Sequence, residues 1–257
     1  MKKMTMVLET QNLNKWYPLG GNKRTDVLKG IDLEIRKGEF VSIMGPSGSG
    51  KSTLLYTVSG MDRASSGRVC FLGREISRLQ EKELSRLRLG KMGFIFQQIH
   101  LMKNLNLLDN ISLPAYAEGV RSRSEIDHRA RYLMNRTGIG SLARNSVDQA
   151  SGGQLQRVGI CRSLINEPAV IFGDEPTGAL DSGSAAEILD ILKDVHNGGT
   201  TIVLVTHDPK VAARSERVLH MLDGGIQGEL KLGTFAGGDS EARARQDELN
   251  AWLSGLS

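Results

Sequence analysis

The sequence predicts an α/β fold with a mostly parallel sheet and an inserted helical lobe, and three observations predict it. The glycine-rich stretch Gly45-Pro46-Ser47-Gly48-Ser49-Gly50-Lys51-Ser52-Thr53 lies between an apolar run, Phe40-Val41-Ser42-Ile43-Met44, and a Leu54-Leu55 pair that can open a helix. This is a strand–loop–helix order. Ala169-Val170-Ile171-Phe172 and Thr201-Ile202-Val203-Leu204-Val205 are short, continuous apolar runs, as found in strands covered on both faces. A helical pattern from about Ser184 to His196 joins them as a βαβ unit. Finally, no strand pattern occurs from Gln98 to Ala150, while Ile126, Ala130 and Leu133 recur at helical spacing.

Taken in order, residues 7 to 44 alternate short apolar runs with turn residues. Val27 to Ile35 ends in strand-like alternation, and Lys37-Gly38 turns the chain into the next strand. After the glycine loop and its helix, Val69-Cys70-Phe71-Leu72-Gly73 reads as a strand, and Met92-Gly93-Phe94-Ile95-Phe96 as a strand buried on both faces. Leu155, Val158, Cys161 and Ile165 mark one face of a helix that begins in or just after a second glycine loop. The segment Gly233 to Gly238 reads as a linker. Leu249, Trp252, Leu253 and Leu256 form an apolar stripe on a terminal helix, expected to pack on the protein's own surface.

A chain of 257 residues accommodates one large α/β domain, or one domain with an inserted lobe. Apolar residues make up 39% and charged residues 24% of it, and no stretch approaches the ~20 apolar residues that cross a bilayer. The opening Met1-Lys2-Lys3-Met4-Thr5-Met6 carries basic residues with no apolar segment behind them, so no secretory signal is expected. Cys70 and Cys161 stand far apart among apolar neighbours and are expected to be reduced core thiols. The net charge of +4 comes from scattered residues, and aromatics are only 5% of the chain. No nucleic-acid partner is expected; the charge reads as a solvated surface with some attraction to anionic lipid.

The first glycine loop fits G-x-x-x-x-G-K-[ST] in full. Its glycines let successive amides face phosphate oxygens, aided by the positive end of the following helix. Lys51 would reach the β- and γ-phosphates, and Ser52 would place its hydroxyl on Mg²⁺. Asp174 and Glu175 end an apolar strand, where an open parallel sheet delivers side chains to its ligand crevice. Asp174 suits Mg²⁺ through a water, and Glu175 suits polarising an attacking water. The second loop, Ser151-Gly152-Gly153-Gln154-Leu155-Gln156-Arg157, admits two readings. It could grip a γ-phosphate with amides and a hydroxyl. Equally, Ser151 and Gln154 could form the capping box of an ordinary helix.

The three motifs together closely resemble the ATP-binding subunits of ABC transporters, from about Leu8 to Gly224. The resemblance implies a P-loop nucleoside-triphosphatase core, 7–97 with 165–232, that includes an N-terminal antiparallel β subdomain. It also implies a helical subdomain at 98–164, followed by a linker and C-terminal helix at 233–257, all within one ABC-type domain. It further implies a head-to-tail dimer, homomeric or with a homologous ATPase subunit, burying two ATPs. Ser151, Gly152, Gly153 and Gln154 would complete the partner's site. Tyr17 falls where an aromatic stacks on adenine. Gln97, with Gln98 as its rival, falls where a glutamine senses Mg²⁺ and the transporter. Asp181 lies in a loop that crosses the interface, and His207 at a histidine that contacts the γ-phosphate. Ala150, Gly159 and Cys161 depart from the family's usual residues at packing positions.

Gly93 to Gln97, Asp174 to Asp181 and Met221 to Gly224 resemble one branch in particular, that of macrolide export, lipoprotein release and antimicrobial-peptide efflux. The implied function is ATP hydrolysis at the cytoplasmic face of the membrane, driving a separate permease docked over Gln97 to Glu118. An ABC ATPase that relays a signal through a permease-like partner is the alternative. ABC ATPases acting on ribosomes or DNA usually carry fused halves or a long coiled-coil insert, and this chain has neither.

Overall fold

Alternation of buried and exposed residues shapes the first sheet. In the computed structural model, which describes residues 5–21 and 23–256, strands β1 (Met6–Pro18) and β2 (Arg24–Arg36) pair antiparallel. They bury Leu8, Leu13, Leu28, Ile31, Leu33 and Ile35. Most of the basic opening segment, Met1 to Met4, lies outside the described residues. Strand β3 (Phe40–Met44) is buried throughout and leads through the glycine loop into helix α1 (Lys51–Val58). Strands β4 (Ser66–Phe71) and β5 (Arg74–Glu75) complete an antiparallel sheet of order β2-β1-β4-β5. Leu72 and Gly73, expected to continue β4, leave it instead. Both take positive φ (50° and 77°) and make the turn into β5.

Residues 81–200 form a compact unit of their own. It contains α2 (Glu81–Lys91), β6 (Met92–Phe96), α3 (Leu107–Glu118), α4 (Arg123–Arg136), α5 (Gly152–Leu164), β7 (Val170–Asp174) and α6 (Ser182–Asn197). Ile126, Ala130 and Leu133 are buried, as their spacing predicts. Strand β6 runs parallel to β7 in the register Met92↔Val170 to Phe96↔Asp174. It is an edge strand, and Phe94 and Phe96 are only half-buried, their rings stacked 6.0 Å apart. The apolar run therefore predicted more burial than an edge position allows. Helix α5 buries more than the one face expected of it. Val158 and Cys161 are fully covered, and Gln156, Gly159 and Ile160 are too, whereas Leu155 is half-exposed. Gly159 matters here because a Cβ would sit 3.1 Å from Ile99 Cγ2.

The remaining elements belong with residues up to Gln80 in the other compact unit. They are β8 (Thr201–Val205), α7 (Pro209–Ala212), β9 (Arg217–Leu222), β10 (Gly225–Lys231) and α8 (Asp239–Ser254). Strand β3 lies parallel between β8 and β9, and β10 returns antiparallel along β9. The apolar stripe of α8 does pack on the protein itself: Leu249 is buried against Met44, Ala212 and Val218, with Trp252 and Leu253 alongside. The expected linker before α8 is also held down. Arg245 donates to the carbonyl oxygens of Ser215 (2.5 Å) and Gly233 (2.9 Å), and its guanidinium lies 5.2 Å from the Phe235 ring centre. Among the described residues no helix is long and apolar enough to cross a membrane.

Candidate active site

The glycine loop is built by close backbone approach. A Cβ on Gly45 would lie 2.0 Å from the Met221 carbonyl oxygen, and one on Gly50 would lie 2.9 Å from that of Val27. Both residues have positive φ (149° and 99°), so glycine is required twice over. Gly48, also left-handed, meets nothing within 4 Å and faces open space. The hairpin turn at Asp223 and Gly224, both with positive φ, closes over the loop, where the Gly224 amide donates to Ser49 O at 3.2 Å. Gly50, the residue before α1, caps that helix with no side-chain hydrogen bond. Lys51 is buried, and its Nζ donates to Pro46 O across the loop (2.7 Å). Ser49 Oγ is buried without a partner. A buried hydroxyl left unpaired is costly, and a phosphate oxygen would satisfy it.

Tyr17, near the end of β1, is 39% exposed. Its hydroxyl donates to Asp62 Oδ2 (2.5 Å), and the Lys15 ammonium lies 4.6 Å from its ring centre. His207 follows β8 and is exposed, while its neighbour Thr206 is tied by its amide to Ile43 O in β3 (3.1 Å).

In the unit of residues 81–200, the β6/β7 register sets Phe96 opposite Asp174, so Gln97 and Glu175 leave the sheet side by side. Glu175 takes left-handed backbone (φ 46°), which costs a residue with a Cβ roughly 1–2 kcal/mol. Such strain persists only where surrounding structure holds it. Gly178 shows where the two side chains go: a Cβ there would be 3.0 Å from Gln97 Nε2 and 3.1 Å from Glu175 Oε2. A carboxylate and a carboxamide thus reach over one point.

The second glycine loop forms the capping box. Ser151 N donates to Gln154 Oε1 (2.9 Å), and Gln154 N donates to Ser151 Oγ (3.3 Å). The box uses only those two amides. Gly152 and Gly153, at the first positions of α5, keep theirs outside it. Capping and anion binding are therefore compatible at this loop. Its floor is the turn before α6. Asp181 accepts from Ser184 N (3.0 Å) and Oγ (2.7 Å), and these bonds hold its carboxyl below the usual range. A Cβ on Gly153 would lie 2.9 Å from Ser184 Oγ.

The ABC transporter family model matches residues 28–178, more than half of the chain. The chain belongs to the ABC transporter family. It is 42% identical over 259 residues to the macrolide export ATP-binding/permease protein MacB of Hahella chejuensis, covering 98% of this chain and 39% of that one. It is also 42% identical to the lipoprotein-releasing system ATP-binding protein LolD of Aquifex aeolicus, over 88% of this chain and 99% of the relative. The chain thus spans 32% to 39% of the length of its macrolide-export relatives. Among solved structures, the dimeric ATP-binding cassette MJ0796, in a post-hydrolysis state bound to ADP and Pi, superposes with a TM-score of 0.82. That match has 39% identity and covers 89% of this chain and all of that one.

The side chains that the resemblance implies for Mg²⁺ are each of a type that suits it. Ser52 offers a hydroxyl, Gln97 a carboxamide oxygen and Asp174 a carboxylate, all hard oxygen ligands of the kind that ion takes. Among the described residues no group of three or more His, Cys, Asp or Glu gathers as a metal cage. Three features escaped sequence reading: Asp62 beneath Tyr17, Gly178 between Gln97 and Glu175, and the contact of the Asp223-Gly224 turn with Ser49. Only the last carried a local signal, the Asp-Gly pair of a two-residue hairpin.

Proposed function

We propose that this chain is the ATP-hydrolysing subunit of an ABC transporter, working as a head-to-tail dimer around two Mg-ATP. In this reading 7–97 with 165–232 is the nucleotide-binding core, 98–164 the helical lobe, and 233–257 a packed terminal extension. The dimer drives a membrane permease from the cytoplasmic face, in an efflux system for an antimicrobial peptide, drug or lipid-linked substrate. The convergence of Gln97 and Glu175 at Gly178, beside the strained turn at Glu175, carries the catalytic half of this reading. The glycine loop, with its close backbone approaches and its orphaned Ser49 hydroxyl, carries the binding half.

Lys51, freed from Pro46 O, would bind the β- and γ-phosphates. Glu175 would orient a water and take its proton as the water oxygen bonds to the γ-phosphorus. The bond to the bridging oxygen then breaks, and the electron pair leaves with ADP. His207 would donate to the γ-phosphate, and Ser151 with the Gly152 and Gly153 amides would hold the γ-phosphate of the partner's ATP. Ser52, Gln97 and Asp174 would hold Mg²⁺, which supplies charge neutralisation on the phosphate oxygens.

Glu175→Gln keeps the shape and removes the base. It should bind ATP normally, lose nearly all turnover, and accumulate as a dimer that light scattering detects only with ATP. A variant that stays monomeric with ATP, or hydrolyses it at the normal rate, counts against Glu175 as the base.

A further inference from the structure

Tyr17 is anchored from below in a way that its role as a base platform does not by itself require. Its hydroxyl donates to Asp62 Oδ2 (2.5 Å). The other Asp62 oxygen takes the buried Lys15 ammonium (2.6 Å) and the Arg63 amide (2.7 Å). Lys15 also donates to Arg63 O (2.8 Å), and its charge sits 4.6 Å from the Tyr17 ring centre. The Asp62 amide donates to Tyr56 O in α1 (3.0 Å), so the carboxylate is fixed to the helix that follows the glycine loop. The ring is therefore tethered at its hydroxyl and flanked by a cation, yet keeps 39% of its surface open.

We propose that Asp62, with Lys15, is a positioning residue that clamps the Tyr17 ring to the phosphate-loop helix, so that the base of ATP meets a pre-oriented platform. The proposal rests on the reading of Tyr17 as the adenine-stacking residue. Its physical content is entropic. A tyrosine free to rotate would lose that freedom when the base binds, whereas a tethered one has lost it already. The Lys15 charge adds a cation–π contact that holds the ring in plane. Burial, then the Asp62 hydrogen bond and charge, push the Tyr17 hydroxyl up to about 12, with Thr53 pulling the other way.

The test compares two ligands on the full chain in Mg²⁺-free buffer, by calorimetry. ATP carries a base, and inorganic tripolyphosphate carries none. Asp62→Asn and Tyr17→Phe should each weaken ATP about three- to tenfold, and the double variant should be no worse than the weaker single one. Tripolyphosphate should bind none of them more weakly than it binds the wild type. Loss of a carboxylate would, by charge alone, strengthen binding of an anion, so weakened ATP cannot arise that way. In NMR spectra the Tyr17 hydroxyl should titrate at lower pH in Asp62→Asn than in the wild type, since the hydrogen bond and charge of Asp62 both raise it. Parallel weakening of tripolyphosphate would assign Asp62 to folding of the loop and overturn the clamp. Unchanged ATP affinity in Asp62→Asn, with clear weakening in Tyr17→Ala, would overturn the clamp and leave the platform standing. Unchanged ATP affinity in Tyr17→Ala would remove both.

Discussion

Gly178 is the residue at which the proposed chemistry is most exposed to a single atom. Its backbone is not in the left-handed region, and the space its Cβ would take is bounded by the ends of Gln97 and Glu175 rather than by main chain. Gly178→Ala should therefore fold with stability within about 1 kcal/mol of the wild type. It should, however, push both side chains off their common point. Displacements near 1 Å at a reacting centre cost up to about a hundredfold in rate. We expect kcat to fall at least about tenfold while ATP affinity holds, read from steady-state kinetics beside equilibrium binding. An unchanged kcat would mean that Gln97 and Glu175 need not share that point.

Helix α8 shows how one element is tied to the nucleotide site from behind. Leu249 packs on Met44, the residue just before the glycine loop, and Trp252 meets His220 edge-on, 6.3 Å between ring centres. Burial holds the His220 imidazole below its ordinary 6.5. The sign follows directly. The unfolded chain takes up this proton first as pH falls, so the neutral ring's contribution is fully present above 6.5 and declines below it, towards the folded value. Glu241 anchors the start of α8 by accepting the Gly237 amide (2.9 Å), chiefly through which its carboxyl lies below 4.5. Its contribution is lost only at still lower pH. Amide hydrogen exchange should therefore show α8 loosening as pH falls below 6.5. His220→Phe should be flat over that range. An identical slope in the variant would place the loosening elsewhere.

The whole molecule should be a half-enzyme, and mixing damaged halves tests that. Lys51→Ala removes the phosphate-loop charge, while Gly152→Asp sets a carboxylate at the start of α5. Each homodimer would then hold only damaged sites. In a mixed dimer, the Lys51→Ala chain lends its intact Ser151-Gly152-Gly153-Gln154 loop to its partner's intact phosphate loop. One site is rebuilt and the other carries both lesions. Equilibrium nucleotide binding without Mg²⁺ should recover tight capture at one site per mixed dimer. If mixed dimers form and capture does not return, the capping box at Ser151 is all that loop does.

The residues proposed to touch phosphate were legible in the linear chain because their work is local. A glycine loop between strand and helix needs its residue types at fixed spacing, and so does a helix start with Ser151 and Gln154. The stripe of α8 and the buried face of α4 were legible for the same reason, since period and burial go together in a helix. Edge position was not: Met92 to Phe96 reads as a buried strand, and only the sheet order leaves Phe94 and Phe96 half-exposed. Nor were the contacts made between distant residues. Asp62 stands 45 positions from Tyr17. Gln97 and Glu175 come together only through the parallel register of β6 and β7. Pairing across such separations depends on how strands are ordered and registered, and no local periodicity encodes it.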